Sequence, residues 1–403
     1  MKSFLSAILI FISLAVFFAA CRKNDNPSPG PEENKDEYRY IRVLISDASS
    51  TQITQVNPVD GTITSFEAPH ANATLYSTAS KRFGALLFGA QNHVQFFDCG
   101  FEYHGDHVDV KGTPKFTAIT ADGIKPTHFK SRGEETLIFN DGSGTLSIAN
   151  ENDFHVNGSK MQVIDAGLLP HHGAMAQFDN GTYAVTVFDT ESSLAGPHGV
   201  KIISKNGQEI HSLKENVSRL HGNATDGTNA LFGVNGGILV VNQNGDQHII
   251  PNPEGFGDIR LGTILEAAGA NKFIGFSALK GAYFIDISKN EITPIIEHTQ
   301  ITQCKTDYDG NNLVVLLLNG DIKIYDLVSG VLKKEGNIIP AISPDETIKP
   351  VLEATSKYIY LAMPAIGELH KINTSNFSDI KKIKVSAQPS KLTILGFQTN
   401  ESH

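Results

Sequence analysis

From Tyr40 onward the apolar residues fall into short runs: YIRVLIS (40–46), GALLFGA (84–90), TLIFNDG (136–142), YAVTVFD (183–189), ILVVNQNG (238–245), LVVLLLNG (313–320) and YIYLAMP (358–364). Runs of this length, rich in Val, Ile, Leu and aromatic residues and closed by Gly, Asn or Asp, read as buried strands. The Asp-Gly and Asn-Gly pairs between them read as hairpin turns. No stretch carries a helical apolar period of convincing length, so the pattern predicts an all-β protein.

The runs recur as a unit: an innermost strand, a turn, then three further strands. Candidate innermost strands begin near Ala73, Thr127, His172, Leu220, Arg260, Gln303, Val351 and Lys391. Tyr40 to Gln398 spans 359 residues, and eight units of about 45 residues match the blade period of a β-propeller. Seven blades is the alternative count. The last innermost strand, KLTILGF (391–397), has no partners after it, whereas Tyr40–Phe66 supplies three strands without an innermost one. Pairing the two closes the ring and removes two exposed sheet edges. A single propeller over residues 40–398 follows, with 399–403 as a tail.

The first 20 residues have another character. Lys2 precedes an apolar run from Phe4 to Ala20, and small residues lead into Cys21. This arrangement resembles a bacterial lipoprotein signal, with Cys21 as the lipidated first residue of the mature chain. Residues 21–39, rich in Pro, Asn and charge, read as a tether to a membrane facing the periplasm or the cell surface. The other two cysteines, Cys99 and Cys304, are expected as buried thiols. A formal net charge of −10 repels phosphate backbones and argues against nucleic acid as a partner. The protein is expected to be a monomer.

The histidines concentrate the chemistry. Nine of 15 lie between positions 104 and 221. His128, His172 and His221 each stand near the start of an innermost strand, one blade apart, so three adjacent blades place one imidazole each at one channel mouth. The HGDH segment brings His104 and His107 on a loop expected to cap them and supply a fourth ligand. Asp106 and His171 are candidates for further ligands or for partners that orient an imidazole. Three or four converging imidazoles suit tetrahedral Zn²⁺, although copper or nickel would accept the same set. Because the ligands must be neutral, binding is expected to weaken as pH falls through about 6.5.

FEYHGDHVDV (101–110), KPTHF (125–129) followed by NDGSGT (140–145), PHHG (170–173), LHGNATDG (220–227) and GELHKI (367–372) resemble, in order, the motifs of periplasmic zinc metallochaperones of the AztD type. The resemblance implies a zinc-binding propeller that passes metal to the solute-binding protein of a zinc-uptake ABC transporter. Asn223 stands where that family has a carboxylate, which puts support of the metal ligands by this residue in question. A metal-dependent hydrolase of the lactonase kind, or a metal-free surface propeller, are the alternatives. No catalytic residue is assigned, because the acids near the histidines lie in one short loop and nothing marks a substrate pocket.

Overall fold

The structure, a computed structural model, describes residues 38–401 except 195. The proposed signal segment, Cys21 and nearly all of the tether lie outside the described residues. Those described form eight four-stranded antiparallel sheets and one two-stranded hairpin. Helical structure among them is limited to 3₁₀ turns, such as Gly89–Gln91 and Glu151–Asp153.

Numbered from the closing blade, the innermost strands are Pro389–Phe397, Thr74–Ser77, Pro126–Arg132, Met175–Gln177, His221–Thr225, Thr263–Ala267, Ile301–Thr306 and Val351–Ala354. The sheets form a ring because each buries both faces against its neighbours. Between blades 3 and 4, Leu137, Phe139, Met175 and Tyr183 share one apolar cluster. Between blades 4 and 5, Ala176, Val200, Phe232 and Leu239 share another. A continuous apolar run such as TLIF is thus used on two sides, which explains the weak alternation of the strands.

Closure occurs as the termini require. Tyr40–Asp47 pairs with Pro389–Phe397 in a register running from Tyr40 opposite Phe397 to Ser46 opposite Lys391. Gly396 makes this fit: a side chain there would bring its Cβ within 1.9 Å of the Tyr40 carbonyl oxygen. Asp47 pins the far end, accepting hydrogen bonds from the backbone N–H of Gln388 at 2.6 Å and of Ser49 at 2.8 Å. Cys99 and Cys304 are buried free thiols, which burial pushes up to about 12.

Candidate metal centre

The innermost strands begin at one mouth of the channel and end at the other, and local irregularities aim the histidines into the first. In blade 3 the pairing skips a residue between Pro126 and His128, and in blade 5 it skips one between His221 and Asn223. These bulges turn the side chain at the strand start without breaking the ladder that follows. The bulged residue in blade 5 is Gly222, at φ +67°, where a Cβ would meet the Gly262 carbonyl oxygen at 2.2 Å. His172 lies three residues before its strand. Gly173 next to it packs so tightly that a Cβ would lie 2.3 Å from the Phe139 ring.

The three imidazoles converge. His128 Nε2 lies 3.3 Å from His172 Nε2, which lies 3.3 Å from His221 Nε2, and the three offer ligand atoms within 4.8 Å of one another. The opposite ring nitrogens fix the tautomers. His172 Nδ1–H donates to Asp141 Oδ2 at 2.7 Å, and His221 Nδ1–H donates to the Gly262 carbonyl at 3.0 Å. Both residues therefore present Nε2 lone pairs to the same point, an arrangement that repels itself until a cation lies between them.

The spacing suits such a cation. Zn–N bonds of about 2.0–2.1 Å at a tetrahedral angle give N···N edges of about 3.3–3.4 Å. His128 is held neutral: burial, with His172 beside it, lowers it to about 4. Proton competition at this nitrogen accordingly falls well below the 6.5 of an ordinary imidazole.

The supporting carboxylate is one that the spacing argument missed. Asp141, buried at the end of the second strand of blade 3, orients His172, a pairing that fixes ring position and raises ligand basicity. Its sequence signal was the NDG of a hairpin turn, indistinguishable from the other turns until blade 4 is placed beside it. Asn223 does not take that role. Its side chain donates to the Met175 carbonyl in the preceding blade, and its own carbonyl accepts from Lys130 Nζ at 2.6 Å. Burial lowers that lysine to about 8.

The structure separates the remaining candidates. His171 is occupied, with Nδ1 on the Leu169 carbonyl at 2.7 Å and Nε2 on Thr186 Oγ1 at 2.9 Å, so of the pair it is His172 that turns a nitrogen to the other two histidines. His104 and His107 do not cap the three histidines. They lie on the hairpin Phe101–Tyr103/Val108–Val110, inserted between the third and fourth strands of blade 2. In an up-and-down sheet that connection emerges where the innermost strands end, at the opposite mouth. There Tyr103 stacks on Phe397 with ring centroids 5.4 Å apart, and Val108 N–H donates to the Glu401 carbonyl at 3.1 Å.

The hairpin forms a group of its own. Asp109 faces both imidazoles, with His104 Nε2 at 3.7 Å and His107 Nε2 at 3.5 Å, and the three residues can converge on one ion. Asp106 instead orients His107, with its carboxylate 2.6 Å from Nδ1. Asp109, rather than Asp106, is the acid of this group. His370 of the GELHKI motif is buried beside Glu368 within its blade.

The class that these features define is an eight-bladed β-propeller carrying three converging imidazoles at one mouth and a His-His-Asp hairpin at the other. The crystal structure of Citrobacter koseri AztD matches it with a TM-score of 0.81 over 90% of this chain and 99% of that one, at 19% identity. Apo AztD from the same organism gives 0.79 over 89% and 99%, at 18% identity. The dihydro-heme d1 dehydrogenase NirN in complex with DHE gives 0.59 over 91% and 77%, at 13% identity. The chain thus has an AztD-type propeller fold. No protein-family model matches the sequence, and no curated protein sequence matches it.

Proposed function

We propose that this protein is an extracytoplasmic zinc carrier that binds Zn²⁺ through His128, His172 and His221 and passes it to a metal-accepting partner. The observation that carries the reading is the pair of 3.3 Å Nε2···Nε2 separations joining His128, His172 and His221, with the tautomers of His172 and His221 set by hydrogen bonds behind their rings. Three neutral donors leave a tetrahedral ion one open position, through which an incoming ligand can begin exchange. The AztD-type fold and the ordered histidine motifs support the solute-binding protein of a zinc-uptake ABC transporter as the partner. His104, His107 and Asp109 would hold a second ion at the opposite mouth. Lipidation at Cys21 would keep the domain at a membrane surface outside the cytoplasm.

Hydrolysis is the less favoured use of the same ion. It needs an acid or base free to handle protons beside the open position, whereas the carboxylate that reaches the three histidines, Asp141, is engaged by His172 Nδ1. The test is zinc stoichiometry on the metal-stripped domain after zinc exposure. Wild type should bind two equivalents. Each of His128→Ala, His172→Ala and His221→Ala should lose one, and the double change His104→Ala/His107→Ala should lose the other. Unchanged stoichiometry in all variants would place the metal elsewhere.

A further inference from the structure

His221 belongs to two features of the same mouth. Its Nε2 is one of the three converging nitrogens. Its residue also lines a cavity of about 470 Å³, whose walls include Arg219, Asp258, Ile259, Arg260 and Leu279. The metal position and this cavity therefore share a wall.

The charge of the cavity runs against that of the molecule. In a chain of net charge −10, the residues lining this cavity include two arginines and one acid, Asp258. Neither arginine is ion-paired with an acid among the described residues. Arg260 is held by the backbone of the other: its Nη1 donates to the carbonyl of Arg219, whose backbone sits at φ +55°, an uncommon conformation for a residue with a side chain. Burial, and then the charge of Arg219, lower the pKa of Arg260. Two arginines in one cavity wall give an incoming anion a cationic partner there. Leu279, 67% exposed, gives the cavity an apolar lip.

We infer that this cavity is the docking point for the metal acceptor and takes a carboxylate side chain, flanked by an apolar residue, from that protein. The inference rests on the zinc-carrier reading above and specifies the chemistry of its partner. The arginines draw the carboxylate in and hold it beside His221, where one oxygen can take the open fourth position on the ion. A histidine nitrogen then leaves, so that the metal is never without ligands during transfer. Arginine suits this task because its planar fork binds a carboxylate through two parallel hydrogen bonds.

The experiment uses the zinc-loaded protein and two chelators as probes: nitrilotriacetate, which presents carboxylates, and tris(2-pyridylmethyl)amine, which presents neutral nitrogens. At low salt, Arg219→Gln/Arg260→Gln should slow extraction by nitrilotriacetate about tenfold, the lower end of electrostatic steering. Extraction by the pyridyl chelator should stay at the wild-type rate. Arg260→Lys, which keeps the charge, should retain most of the nitrilotriacetate rate. A measurement on wild type needs no variant: raising ionic strength from about 0.01 to 1 M, which shortens the Debye length from about 30 to 3 Å, should slow nitrilotriacetate selectively. Equal effects on both chelators, or none on either, overturn the inference while leaving zinc binding intact. Failure of the three histidines to bind zinc overturns the carrier reading and the inference together.

Discussion

A histidine becomes a metal ligand when its far nitrogen is occupied, because that proton fixes where the lone pair points. His172 and His221 achieve this differently, one through the buried Asp141 carboxylate and the other through the Gly262 carbonyl. The ionised partner is the stronger acceptor and adds negative charge near the cation. Asp141→Ala should therefore lower zinc affinity about 10–100-fold, with the metal-free protein still folded. Competition against a chromogenic zinc indicator, paired with thermal melting of the metal-free variant, checks both parts. An affinity equal to wild type would show that His172 needs no partner.

Among elements, the strand pair that closes the ring carries the most, because every other sheet is continuous in sequence. Asp47 stands at the end of that pair. Burial pushes its carboxyl up, but hydrogen bonds from Gln388 and Ser49 outweigh it and hold the group at about 2, below the ordinary 3.8. A carboxylate whose folded pKa is depressed stabilises the fold fully above the unfolded value, and that stability is lost as pH falls through the folded one. Denaturant unfolding of the metal-free domain should thus weaken between about pH 4 and pH 2. Asp47→Asn should cost about 1–3 kcal/mol at neutral pH and show a shallower acid loss, the two curves converging near pH 2. Parallel curves would mean that Asp47 does not fasten the closure.

For the whole molecule, closure decides whether the sheets have edges. Removing residues 390–403 takes away almost all of the innermost strand of blade 1. It leaves Tyr40–Asp47 with an unpaired edge and strips the cover from Leu44 and Tyr360, which pack near Leu395 and Ile394. The truncated domain should aggregate, or lose the single sharp transition of the full ring, by light scattering and calorimetry. A truncation that melts as sharply as the intact domain would show that the ring does not depend on this pairing. The same ring separates the two histidine groups, because a strand that starts at one mouth must end at the other.

The sequence by itself determined the strands, the repeat and the closure. Each rests on local periodicity and on a spacing of about one blade, and neither depends on side-chain direction. It also determined His128, His172 and His221 as a set, because residues near the start of successive innermost strands lie at one mouth. Only the tertiary structure decided the rest. The mouth that a connection reaches depends on how many strands of its blade precede it, and the fourth strand of blade 2 is only Lys115–Phe116, too short to leave a pattern, so the HGDH hairpin read as a cap when it lies at the opposite mouth. Adjacent histidines 171 and 172 are alike in sequence, and their packing against Thr186 and Asp141 tells them apart. Asp141 and the Arg219–Arg260 pair gain their meaning from neighbours one blade away, about 30–40 residues distant along the chain, a contact that no local pattern records.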